Sequence, residues 1–217
     1  SDVCSSDLCQ ISWGEPFDYA EIQRRLDANP GIRWLWATHC ETSTGILNDL
    51  ASLKALCQAR GIKLCLDCIS SIGTIPVNLE GVYLATCVSG KGLASFPGLS
   101  MVFYNHELKP STVLPRYLDL GYYAAQQGVP FTMSSNLVYA LQTALKRMQW
   151  PKKFAQIAEN SAWLRARLRE RGLQIVAPDA HAAPAVITLA LPSEVPSRAI
   201  RSEEHTSELQ SPYVISY

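Results

Sequence analysis

Between residues 17 and 104, short apolar runs of strand length alternate with segments of helical spacing, and this alternation constrains the fold more than any other feature. From Phe17 to Asn29, Phe17, Ala20, Ile22 and Leu26 stand among charged residues, and Asn29-Pro30-Gly31 stops the predicted helix. Ile32 to Ala37 reads as a strand, followed by the polar turn His39-Cys40-Glu41-Thr42-Ser43-Thr44-Gly45. Leu47 to Arg60 has helical spacing again, with Gly61 as its stop. Lys63 to Asp67, Val82 to Val88 and Leu99 to Tyr104 are further strands, and the first is nearly all apolar, as a strand covered on both faces would be. Strands alternating with helices predict an α/β fold with a largely parallel or mixed sheet. Ligands of such sheets gather beyond the carboxyl ends of the strands, where Glu41 to Gly45, Asp67 and Lys91 are all expected.

Downstream, Pro110 to Thr132 is turn-rich and carries Tyr117, Tyr122 and Tyr123, marking a candidate functional loop. Asn136 to Met148 and Lys152 to Arg171 read as helices, and Ile175 to Ala177 and Ala185 to Leu191 as strands. Residues 9–151 are therefore expected to form a partial large domain, with 152–200 the start of a smaller α/β domain.

Nineteen basic residues balance nineteen acidic ones, so no overall field favours nucleic acid or an anionic membrane, and a small-molecule partner is expected. No apolar stretch has the length to span a bilayer and no signal segment opens the chain, so the expected location is cytoplasmic. The seven cysteines are scattered and odd in number, which suits reduced, buried thiols. Cys65 and Cys68 have C-x-x-C spacing but no second pair follows, so no metal site is expected.

Residues 1–8 and 201–217 continue no neighbouring periodicity. Ser1 to Leu8 and Arg201 to Ser211 resemble translations of the synthetic adapters ligated to DNA for short-read sequencing, and both segments are set aside from fold reasoning. The interior is accordingly expected to be an internal fragment of a longer gene, with adapter sequence at both ends of the encoding DNA.

Lys91 lies in Val88-Ser89-Gly90-Lys91-Gly92-Leu93, past an apolar strand, and Asp67 closes the strand before it. One lysine to hold a cofactor as a Schiff base and one carboxylate to keep its pyridine nitrogen protonated are what pyridoxal phosphate chemistry requires. The blocks His39 to Gly45, Leu66-Asp67-Cys68-Ile69-Ser70-Ser71-Ile72-Gly73, Ser89 to Leu93, Phe96-Pro97-Gly98 and Pro130-Phe131-Thr132 occur in order. Together they resemble the class V aminotransferases, fold-type I pyridoxal phosphate enzymes, and the alanine-glyoxylate, serine-pyruvate and 2-aminoethylphosphonate transaminases in particular.

The resemblance implies a transaminase that moves an amino group from an amino acid or aminophosphonate donor to a small 2-oxo acid such as pyruvate or glyoxylate. It implies Lys91 as the cofactor-bonding and proton-shuttling lysine, and Asp67 as the pyridinium partner. Thr42, with Ser43 beside it, is implied as the ring-contacting hydroxyl, Ile69 as the apolar residue on the pyridine face and Ser89 as a further cofactor contact. Thr132 is implied to reach the cofactor phosphate of the neighbouring subunit, making the site a homodimer property.

Structural alternatives remain for each: a solvated lysine, a helix cap at Asp67, turn capping by Thr42 and Ser43, core packing by Ile69, and a structural His39. Gly90 departs from the polar residue that often precedes the lysine, and offers only backbone. The family's glycine-rich phosphate turn, stacking side chain and carboxylate-binding arginine do not appear, so the isolated fragment is expected not to turn over substrate. Competing implications are a cysteine desulfurase or related lyase, against which Gly90 argues because histidine usually stands there, and a non-catalytic truncated fragment.

Overall fold

The computed structural model describes residues 8–191, so residues 1–7 and 192–217, most of both adapter-like segments included, lie outside the described residues. Helix α1 (Tyr19–Ala28) starts because Asp18 accepts the Ala20 and Glu21 N–H groups at 3.0 Å each, and it buries Ile22 and Leu26. Strand β1 (Trp34–Thr38) follows, then a small antiparallel hairpin of β2 (Cys40–Glu41) and β3 (Ile46–Leu47). Helix α2 (Leu50–Gln58) leads into β4 (Lys63–Asp67), β5 (Leu84–Val88) and β6 (Ser100–Phe103).

The sheet order is β1-β4-β5-β6, with the first three strands parallel and β6 antiparallel to β5. The expected mainly parallel sheet with flanking helices is the one observed. Register places Thr38 opposite Asp67 and Asp67 opposite Thr86, so the carboxyl ends of β1 and β4 lie level while β5 runs on to Val88. Leu64, Leu66 and Ala85 from the sheet, Leu53 and Cys57 from α2, and Ile22 and Leu26 from α1 form one buried core. On β1, a sheet edge, Trp34 and Trp36 remain exposed at 50% and 64%, whereas Ala37 turns into the core.

Three local expectations change. The predicted helix from Leu47 shortens to α2, because Leu47 pairs with Cys40 in the hairpin. The buried Asn48 amide then donates to Thr38 O at 3.0 Å while its oxygen accepts the Phe17 N–H at 3.1 Å, and Asp49 caps the helix. The loop 110–132 contains a short helix, α3 (Leu120–Ala125), capped by Asp119. The strand expected from Ala185 to Leu191 contracts, since the Val186 carbonyl is taken by Arg165 at 2.9 Å.

Helices α4 (Ser135–Arg147) and α5 (Trp150–Glu170) come next, followed by the antiparallel pair β7 (Gln174–Ile175) and β8 (Leu189–Ala190). Buried Arg165 on α5 also donates to Ala183 O at 3.0 Å, and the Ala183 N–H donates to Gly45 O at 2.8 Å. Helix α5 is thereby tied through residues 183–186 to the β2–β3 hairpin. No helix among the described residues is long and apolar enough to cross a membrane.

Candidate active site

A cleft of about 180 Å3 opens at the carboxyl ends of β1 and β4, lined by Thr38, Cys40, Glu41, Thr42, Asp67, Ile69, Ser70 and Lys91. Parallel pairing fixes why these residues meet. Thr38 and Asp67 end adjacent strands in register, β2 carries Cys40 and Glu41 across the strand ends, and Lys91 enters from the loop after β5. Of the residues singled out in the sequence, Lys91, Asp67, Thr42 and Ile69 share this cleft.

The lysine loop is seated backbone against backbone. A Cβ at Gly92 would lie 2.1 Å from the Ile72 carbonyl oxygen, and one at Gly73, whose φ is +84°, would lie 2.4 Å from the Gly92 oxygen. Gly90 is confined as well, because a Cβ there would stand 2.8 Å from Pro97 Cα. The missing side chain before Lys91 thus has a physical cause: Pro97 occupies its space. Lys153, from the first turn of α5, donates its amine to the Gly92 carbonyl, and burial pushes its pKa below the ordinary lysine value.

Asp67 uses one carboxylate oxygen locally, where Oδ1 accepts the Ile69 N–H at 2.8 Å. Among the described residues Oδ2 accepts no hydrogen bond, and Asp67 lines the cleft. The Lys91 amine donates to Ser70 Oγ at 3.0 Å. Glu41 accepts the Ser43 N–H at 2.8 Å, which tightens the hairpin turn. Burial pushes the Cys40 thiol up to about 11, with Glu41 adding to the effect, so it stays protonated.

Other candidates sit elsewhere. Ser43 does not line the cleft and contributes its backbone to the Glu41 turn. Ser89 is fully buried; its hydroxyl donates to Phe96 O at 2.6 Å and accepts the Leu99 N–H at 3.2 Å, which fastens the two ends of the lysine loop together. Its position is structural within this chain. Thr132 lines a second cavity of about 270 Å3 with Tyr117, Tyr123 and Phe131, where Tyr117 stacks on Phe131 at 4.1 Å, and it does not meet Lys91 within the chain. His39 is buried with Nδ1 at 2.9 Å from Ser71 Oγ, and burial lowers its pKa, so it is a neutral internal brace.

Sequence reasoning passed over Thr38, Cys40 and Ser70. The signal for Thr38 was its place at the end of a strand next to the strand ending in Asp67. For Ser70 it was the turn in which Cys68 and Ser71 point inward and leave Ile69 and Ser70 facing out.

The family described as aminotransferase class-V matches residues 14–188. The chain belongs to this family. It is 33% identical over 195 residues to the soluble hydrogenase 42 kDa subunit of Anabaena cylindrica, covering 83% of this chain and 51% of that protein. It is 31% identical over 193 residues to a 2-aminoethylphosphonate-pyruvate transaminase of Pseudomonas fluorescens, covering 83% of this chain and 52% of the relative. Among solved structures, the alanine-glyoxylate aminotransferase of a Nostoc species superposes with a TM-score of 0.78 at 29% identity, covering 88% of this chain and 54% of that one. The architecture is the fold-type I aminotransferase fold. The chain spans about half the length of the relatives it matches.

The cleft's donor set fits the ring end of pyridoxal phosphate: an amine, a carboxylate with a free oxygen, a hydroxyl at Thr42 and an apolar face at Ile69. Lys91 is the only cationic side chain lining it, so the described lining supplies no second cation for the phosphate.

Proposed function

We propose that the chain is the cofactor-bonding part of a pyridoxal phosphate-dependent transaminase, which moves an amino group from an amino acid or aminophosphonate donor to pyruvate, glyoxylate or a similar small 2-oxo acid. The observation that carries this reading is the meeting of Lys91 and Asp67 in one cleft with Thr42 and Ile69. When bound, the cofactor supplies an electron sink for the carbanion left by loss of a proton from the donor. Lys91 would hold the cofactor through its amine and, once released, would carry the proton lost from the donor's α carbon. Asp67 would keep the ring nitrogen protonated, with Ile69 and Thr42 as further residues that would hold the ring.

In this reading a second, smaller unit begins at residue 152, within the first turn of α5, and includes β7 and β8, after a large unit over 9–151. The full-length protein is a homodimer, with Thr132 serving the neighbouring subunit's cofactor and residues beyond this chain supplying the phosphate turn and the carboxylate-binding arginine. Six free cysteines among the described residues suit a reducing, cytoplasmic setting. Cys40, the cysteine lining the cleft, is buried with its thiol pushed up to about 11, which does not suit it as a desulfurase nucleophile.

The test is to incubate the chain with pyridoxal phosphate, reduce with borohydride and map the adduct by mass spectrometry. An adduct on Lys91, absent in Lys91→Ala, is expected. An adduct distributed over surface lysines, unchanged by that substitution, would refute the assignment.

A further inference from the structure

Ser70 has no part in the reading above, yet it holds the atom that reading depends on. Its hydroxyl is the only hydrogen-bond partner of the Lys91 amine among the described residues, at 3.0 Å and across 21 positions of sequence. The turn that carries it is held by the Ile69 N–H on Asp67 Oδ1 at 2.8 Å and by the Ser71 and Ile72 N–H groups on Cys68 O at 3.1 and 3.0 Å. Thr74 Oγ1 also donates to the Ser70 carbonyl at 3.1 Å. Ser71 turns inward to His39, so the outward hydroxyl of the pair stands over the cleft. A lysine amine on a flexible stem therefore has one fixed acceptor beside it.

We infer that Ser70 is a further catalytic residue: it receives the Lys91 amine whenever that amine is not bonded to cofactor and keeps it aimed into the cleft. The inference rests on Lys91 being the cofactor-bonding lysine. The hydroxyl oxygen accepts one amine N–H and forms no covalent bond. The nitrogen lone pair stays free to attack the cofactor aldehyde, or to take a proton from the donor carbon and give it up at C4′. Without Ser70 the stem samples rotamers directed to solvent, and a larger share of encounters finds the amine misplaced.

This produces a signature that simple damage to the fold would not. In the cofactor-free chain, competitive acetylation with acetic anhydride reads the exposure of Lys91 to a bulk reagent, with Lys152 as the internal reference. Borohydride quenching after addition of pyridoxal phosphate reads the rate at which Lys91 captures the aldehyde. In Ser70→Ala, the Lys91-to-Lys152 acetylation ratio should rise and the capture rate fall, each by about threefold, the scale of one solvent-accessible hydrogen bond. Ser70→Thr, which keeps the hydroxyl, should restore both. Equal acetylation and capture in Ser70→Ala and the parent chain would overturn the inference while an adduct on Lys91 upheld the cofactor reading. Both rates moving in the same direction would also overturn it. An adduct that maps away from Lys91 would remove the cofactor reading and the catalytic role of Ser70 together.

Discussion

Gly92→Ala should disable the lysine loop without touching any functional side chain. An added Cβ would sit 2.1 Å from the Ile72 carbonyl oxygen and 3.0 Å from Gly73 C, and both atoms are backbone. Real Cβ atoms do not come closer than 3.0 Å, so one of the two segments must move by at least 3.0 − 2.1 = 0.9 Å. Neither has slack, because residues 68–75 are held by their own turn hydrogen bonds and Gly92 O is gripped by Lys153. Overpacking of this kind costs about 1–3 kcal/mol of folding stability. A displacement near 1 Å at the adjoining Lys91 breaks the 3.0 Å bond to Ser70 and should slow aldehyde capture on the order of 100-fold. Urea unfolding and borohydride-quenched capture measure the two effects. Gly31→Ala is the control, since nothing lies within 4 Å of a Cβ there. If Gly92→Ala matched the Gly31→Ala control in both assays, the steric account of the loop would be wrong.

Other substitutions separate roles within the site. Asp67→Asn keeps an oxygen for the Ile69 N–H but loses the charge, so the fold should persist while affinity for pyridoxal phosphate falls roughly tenfold; unchanged affinity by equilibrium dialysis would remove Asp67 as ring partner. His39 has a folded pKa below its ordinary 6.5, so the unfolded chain binds more protons in that range, and stability should be full above pH 6.5 and decline as pH falls below it. Urea midpoints measured from pH 7.5 to 5 should show this decline, flattened in His39→Gln. Cys40, pushed from 9.0 to about 11, should react with iodoacetamide on the order of 100-fold more slowly than an unfolded thiol at pH 8, and rapid labelling of the native chain would contradict its burial.

The parts of the fold that could be read from sequence are those where one periodicity dominates. Lys63 to Asp67 is observed with the predicted bounds because an apolar run buried on both faces leaves little ambiguity. The β2–β3 hairpin was invisible, since two-residue strands have no period, and Leu47, Leu50, Leu53 and Leu56 together imitate a longer helix. Asn48 and Asp49 carried the contrary signal, as a polar pair at a helix start. Helix α3 was hidden by Gly121, a poor helix former kept there because a Cβ would lie 1.9 Å from the Lys109 oxygen. Within the site, strand-end positions gave Asp67 and the loop gave Lys91. The seating of Lys91 on Ser70, and the clamp from Lys153 at a separation of 61 residues, depend on tertiary packing that no local pattern encodes.

Three glycines, Gly73, Gly90 and Gly92, hold the lysine loop by their lack of side chains, and this divides the cleft into a wall that can vary and one that cannot. Almost any mutation on the glycine side adds atoms where backbone already stands, so drift there is purged before it can alter chemistry. The opposing wall, formed by the end of β1, by β2 and by the residue after it, presents side chains rather than packed backbone, at Thr38, Cys40, Glu41 and Thr42. Diversification of such a scaffold, in nature or in a directed library, would therefore be sought along β1 and β2, with the lysine held as a fixed datum.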